Sequence, residues 1–185
     1  MKIASAAALI LALVGGYQNQ KAAVPTWKRQ YIEKTPFSIE LPSELKQQSV
    51  QNVTDPKDWV SKVTDYSFAD NDVFASITLF EGREPGKMDK TFLKKVLDDF
   101  LKGVQGEESK ATLIRSDEKP IDGAPAFKAA YRVTSDKDTV YYLQVGFLVG
   151  AGRVYLIALV HFDEKGLPSQ RAKRVIDSMR FKTGT

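Results

Sequence analysis

His161 is the sole histidine of the chain, and it ends an apolar stretch directly before Phe162-Asp163-Glu164. An imidazole beside carboxylates is the equipment of a general base or a metal ligand. The chain has no cysteine, so a zinc site would need its other ligands from carboxylates, and the spacing fits no ligand pattern. The residue therefore reads as a strand-end histidine capping the turn that follows. The enzymatic alternative is an envelope hydrolase or metal-dependent enzyme that uses His161 with the nearby carboxylates.

Asp70-Asn71-Asp72 and Asp136-Lys137-Asp138 cluster oxygen ligands of the kind calcium takes. Neither has the glycine and distal glutamate of an EF-hand loop, so both read as Asx-type turns, and no metal or other cofactor is expected. No Gly-x-Ser-x-Gly motif offers an activated serine. Gly146, Gly150 and Gly152 lie between two strand patterns with no helix after them, which is not how a phosphate cradle is built.

Arg171, Lys173, Arg174, Arg180 and Lys182 crowd one C-terminal segment, diluted by Asp177. They are the candidate partner-binding residues, a dock for an acidic protein or for anionic headgroups. The plainer reading is a solvated face whose cations complement a helix C-terminus. Trp59, Tyr66, Phe74 and Phe80 form an aromatic set that either packs under a helix or lines a groove.

These residues need a scaffold. With 185 residues, 43% hydrophobic and 27% charged, the chain is neither disordered, collagenous nor disulfide-stapled. Folding at this size buries roughly 70% of the unfolded chain's surface, enough for one sizeable core. A formal net charge of +4 is far from the excess of a nucleic-acid-binding domain, so no nucleic-acid partner is expected.

Met1 and Lys2 precede the uncharged apolar run Ile3–Val14, which Gly15-Gly16 and a polar stretch follow. That is the layout of a secretory signal, expected over residues 1–16 with cleavage after Gly16. The run makes about 20 Å of helix, short of the ~30 Å hydrocarbon core, so no permanent membrane anchor is expected. No cysteine follows it to carry a lipid. Residues 17–26 read as a linker, and one domain is expected over 27–182.

Within that domain, Trp27–Ile32 and Phe37–Leu41 read as short strands broken by proline, and residues 43–58 as loop. A hairpin is expected around Asp70-Asn71-Asp72, with Val73, Ala75, Ile77 and Leu79 on one face. Asp89 caps an amphipathic helix with Phe92, Val96 and Phe100 on its stripe. Ala111–Ser116 reads as an edge strand. Three further strands then form a meander, the last two apolar on both faces and so central, with Leu143, Val145, Phe147, Leu156 and Ala158 in the core. Pro168-Ser169 opens a second helix with Ala172, Val175, Ile176 and Met179 inward, and Arg180-Phe181 returns to extended chain. The order strands, helix, strands, helix predicts an α+β fold in which helices sandwich an antiparallel sheet.

Four stretches, Phe37-Ser-Ile-Glu-Leu-Pro42, Asp122-Gly-Ala-Pro-Ala126, Arg153-Val-Tyr-Leu-Ile157 and Arg174-Val-Ile-Asp-Ser-Met-Arg-Phe181, occur in an order and spacing that resembles the PsbP superfamily. That fold is shared by the extrinsic PsbP subunit of photosystem II, the Ran-binding import factor Mog and bacterial exported proteins of the DcrB type. The resemblance runs from Trp27 to Phe181 and implies a PsbP-like α/β/α sandwich. It also implies an accessory or binding role without a shared active site, and it carries no catalytic residue over. The expectation is an exported, non-enzymatic binding module of the cell envelope, periplasmic or secreted, whose partner is an envelope protein or a small ligand.

Overall fold

The structure, a computed structural model, describes residues 26–32, 35–70, 73–104, 109–135, 140–161 and 169–182. The expected signal over 1–16, the linker up to residue 25, Asn71 and Asp72, the Asp136-Lys137-Asp138 turn, and Phe162-Asp163-Glu164 lie outside the described residues.

In chain order the elements are β1 (Lys28–Tyr31), β2 (Phe37–Leu41), β3 (Lys46–Asn52), β4 (Val60–Asp70), β5 (Val73–Gly82), a 3-10 turn at Pro85–Lys87, α1 (Lys90–Val104), β6 (Ser109–Asp117), β7 (Ala126–Ser135), β8 (Val140–Gly150), β9 (Arg153–His161), α2 (Gln170–Asp177) and β10 (Arg180–Phe181). Seven strands form one antiparallel sheet in the order β3-β4-β5-β9-β8-β7-β6, and β1-β2-β10 form a second. The β5–β9 pairing, from Phe74↔Val160 to Glu81↔Arg153, joins the hairpin half of the large sheet to the meander half. The central position of β8 and β9 follows from their two apolar faces.

One face of the large sheet packs against α1. Asp89 caps this helix, its Oδ1 accepting from the Phe92 N–H at 2.9 Å. Leu93, Val96, Leu97 and Phe100 then press onto Phe80, Phe147, Leu156 and Ala158, with Phe100 edge-on to Phe147 at 5.4 Å. All five expected core residues are buried.

The opposite face corrects the predicted helix-sandwiched α+β arrangement. Ten strands stand against two α-helices among the described residues, and the second layer is the small sheet with α2 beside it. Magnitude explains why. Seven strands about 4.8 Å apart make a face roughly 29 Å wide, whereas the 8-residue α2 is about 12 Å long and 10 Å across. The remaining cover comes from β2, whose Phe37, Ile39 and Leu41 are fully buried against Ala75, Ile77, Tyr155 and Ile157. The protein is thus mostly β, two antiparallel sheets face to face with a helix over the outer side of the larger one.

Two glycines of β8 let the C-terminal segment lie directly on the sheet. A Cβ at Gly146 would stand 2.7 Å from Met179 Cε, and one at Gly150 would stand 2.3 Å from the Phe181 ring. The glycine spacing therefore serves close packing. Asp122 accepts from the Phe181 N–H at 2.8 Å, which ties the Asp122-Gly-Ala-Pro stretch to the closing Met-Arg-Phe stretch.

Residues 43–58, expected as loop, contain strand β3. Its Lys-Gln-Gln-Ser-Val-Gln-Asn sequence is exposed at all but Ser49, because an edge strand paired only with β4 buries neither face. Polar composition on both faces removes the alternation that would betray it.

Candidate functional site

His161 ends β9, 1% exposed, its ring stacked on Tyr142 at 5.4 Å. Nε2 accepts from the Ser169 N–H at 3.3 Å, and Gln144 Nε2 lies 3.5 Å from the same nitrogen. Gln144 also donates to the Ser169 carbonyl at 3.1 Å, and Arg115 donates to Gln144 Oε1 at 3.2 Å. Ser169 in turn caps α2, its Oγ accepting from the Arg171 and Ala172 N–H groups. The one imidazole therefore holds the entry of α2. Among the described residues no group of three or more His, Asp or Glu side chains is arranged to hold a metal ion.

The structure brings Arg171, Lys173 and Arg174 together on the short α2, with Arg180 just beyond it, but it does not aim them at one point. Arg174 turns toward β1 and β2. Its guanidinium lies 4.1 Å from the Trp27 ring centroid and donates to Glu40 Oε2 at 3.4 Å, while Arg29 holds the other oxygen of Glu40 at 3.0 Å. Burial would raise the Glu40 pKa, yet the Arg29 and Arg174 hydrogen bonds and charges outweigh it and hold it below the ordinary carboxylate value.

Lys173 turns the other way and pairs with Asp177, which Lys128 approaches to 3.5 Å from β7. Burial pushes the Asp177 carboxyl up, and the Lys173 hydrogen bond with the charges of Lys128 and Lys173 pulls it further down, to a net value below the usual one. Arg180 donates to the Asp177 and Met179 carbonyls at 3.2 and 2.7 Å, and no carboxylate among the described residues reaches it. Among the described residues two carboxylates, Glu40 and Asp177, thus meet four cations, and Arg180 adds a fifth. A shallow cleft of about 190 Å³ runs beside α2, with Arg115, Lys128, Lys173, Gln144, Asp117 and Asp177 in its walls.

The aromatic set divides between the faces of the sheet. Trp59 packs edge-on against Phe92 of α1 at 4.7 Å and lies 5.9 Å from Phe80, whereas Tyr66 joins the core on the opposite face. Phe74 belongs to neither cluster. No common groove results.

A charged group absent from the sequence reading is Lys62, Glu81 and Arg153, half-buried on neighbouring strands. Lys62 donates to one Glu81 oxygen at 2.9 Å and Arg153 to the other at 3.3 Å. Burial raises the Glu81 pKa, but the Lys62 hydrogen bond and charge, with those of Arg153, hold it below its ordinary value. Only strand register, Lys62↔Glu81 and Glu81↔Arg153, brings the three together.

No helix among the described residues is long and apolar enough to cross a membrane. No protein-family model and no curated protein matches the chain. Among solved structures, a Pseudomonas aeruginosa protein of unknown function is similar at 14% identity and a TM-score of 0.40, covering 73% of this chain and 82% of that one. The solution structure of cyanobacterial PsbP from Synechocystis sp. PCC 6803 is similar over 90% of this chain and 98% of that one, at 17% identity and a TM-score of 0.50. At that coverage the chain has the PsbP-like fold.

Proposed function

We propose that the protein is an exported, non-enzymatic accessory module of the cell envelope that docks an acidic protein through the α2 face, with Arg171, Lys173, Arg174 and Arg180 as its cationic rim. The observation that carries this reading is the charge balance of that face, where among the described residues cations outnumber the carboxylates that meet them. Such a surface steers an acidic partner into encounter more than it adds affinity. The cap formed by His161 and Ser169 favours binding over catalysis, because it commits the one imidazole to structure. The accessory role implied by the PsbP-like fold supports the same reading as an analogy. Export rests on the apolar run Ile3–Val14 and the small residues after it.

Two experiments test it. A photo-crosslinking residue placed at Arg180 in the native host should yield a discrete adduct with one envelope protein, and the same residue at exposed Lys94 on α1 should not. Equal adducts from both positions would sink the α2 face as the dock. Mass spectrometry of the native protein should find an N-terminus at Tyr17. An intact Met1 in the cytoplasmic fraction would contradict export.

A further inference from the structure

β6 closes the large sheet at one end, paired with β7 alone. Its outward N–H and C=O groups therefore meet no further strand among the described residues, and such an edge is a template for pairing. Leu113 and Ile114 stand at its middle, 52% and 45% exposed, two of the four large apolar side chains that the described residues leave exposed. No proline interrupts Ser109–Asp117 to block a neighbour.

A bulge decides how this edge can be matched. Lys110 and Thr112 stand opposite Thr134 and Arg132 of β7, the register slips between Leu113 and Arg115, and Arg115 and Asp117 then stand opposite Ala130 and Lys128. Alternate positions of β7 share a face, so Lys110, Thr112, Arg115 and Asp117 all lie on one side of the sheet, the side of α2. Ala111, Leu113 and Ser116, opposite Val133, Tyr131 and Ala129, lie on the α1 side. In a regular strand Lys110 and Asp117, seven residues apart, would point to opposite faces. The extra residue of the bulge brings this cation and this anion, one near each end of β6, onto the same face.

We propose that β6 is the contact through which two copies of this chain pair, antiparallel, about a two-fold axis between Leu113 and Ile114. In that register Lys110 faces Asp117 of the second copy and Asp117 faces its Lys110, so symmetry forms the ion pair twice. Thr112 faces Arg115, Ala111 faces Ser116, and Leu113 and Ile114 cover each other's exposed surface at the axis. A slip of one residue would set side chains of one face against those of the other. A slip of two would set Lys110 against Arg115 or Lys119, like charges directly opposite, which destabilises the pairing. The edge is thus complementary to itself in a single register, and that is the argument for a second copy as its occupant. Nine residues make an edge about 30 Å long. Such a contact belongs with the small, transient interfaces, with a Kd on the order of 100 μM. Arg171, Lys173, Arg174 and Arg180 take no part in the ladder, so the pairing stands or falls independently of docking at α2.

The test is sedimentation equilibrium of the purified protein from about 10 μM to about 1 mM. The weight-average mass should rise toward that of a dimer across this range, and amide exchange within β6 should slow in step with it. Ile114→Lys puts two added charges at the axis without touching the core, so the variant should stay monomeric throughout. Asp117→Lys sets Lys110 against a lysine twice and should weaken association by about tenfold or more. Lys110→Asp combined with Asp117→Lys exchanges the two partners and should restore association to within about threefold of wild type. A wild-type mass that stays monomeric, a dimer that survives Ile114→Lys, or a charge exchange that fails to recover what Asp117→Lys loses would each overturn the proposal. Slow β6 exchange that does not depend on concentration would also overturn it, by placing another segment of the same chain on the edge.

Discussion

Replacing His161 by Ala separates a structural imidazole from a catalytic one. The ring is buried against Tyr142, and its Nε2 is the acceptor for the Ser169 N–H. Truncation leaves that half-buried donor unpaired, at about 1–3 kcal/mol. It removes a ring–ring contact of about 0.5–1.5 kcal/mol, and it loosens the Ser169 cap, worth about 1 kcal/mol. These contributions overlap, so the expected loss is about 3–5 kcal/mol in a two-state urea unfolding measurement. Hydrogen exchange should accelerate at Arg171 and Ala172, whose amides bond the Ser169 hydroxyl. His161→Gln, which can return an oxygen near the position of Nε2, should recover about 1–2 kcal/mol of the loss. A loss under about 1 kcal/mol with unchanged exchange would refute the capping role. A hydrolytic or metal-dependent activity that vanished in His161→Ala with stability intact would restore the enzymatic reading.

Phe147→Ala should cost about 3–5 kcal/mol by calorimetry, because the ring is fully buried and meets Phe100 edge-on, and a loss under about 1 kcal/mol would contradict its place in the core. Glu81 ionises below its ordinary 4.5 in the folded protein. Its contribution to stability is therefore complete above pH 4.5 and is lost as pH falls through the lower folded value. Glu81→Gln should flatten the acid limb of a stability–pH curve and lower stability at neutral pH. An unchanged acid limb would contradict the ion-pair account.

Those two sites also mark where the sequence was readable and where it was not. Phe147 lies in a strand whose two apolar faces declared its central position, and the Asp89 and Ser169 caps marked the start of each helix. The covering layer was hidden because β10 is a 2-residue strand that pairs with β2 from the far end of the chain. Apolar periodicity says that a face is covered without saying whether a helix or a sheet covers it. Glu81 and its partners were hidden for a related reason, since charges inside strands meet only through register. The α2 cations were legible as a set, but not their orientation. Arg174 reaches Glu40 and Trp27, both distant in sequence. A charge reversal there would set two carboxylates against each other, so it would perturb the fold as well as any dock.

Arg171→Gln with Arg180→Gln leaves that Glu40 pairing in place and is the cleaner probe of the α2 face. The decisive measurement is the association rate and affinity of the crosslinked partner for wild type and for this double variant, from 0.1 M to 1 M salt. Over that range the Debye length shrinks from about 10 Å to about 3 Å. Docking through the basic α2 face predicts wild-type association that falls steeply with salt, and a variant at least about tenfold slower at 0.1 M that converges on wild type at 1 M. A flat salt curve, or a variant that binds like wild type at low salt, would contradict it.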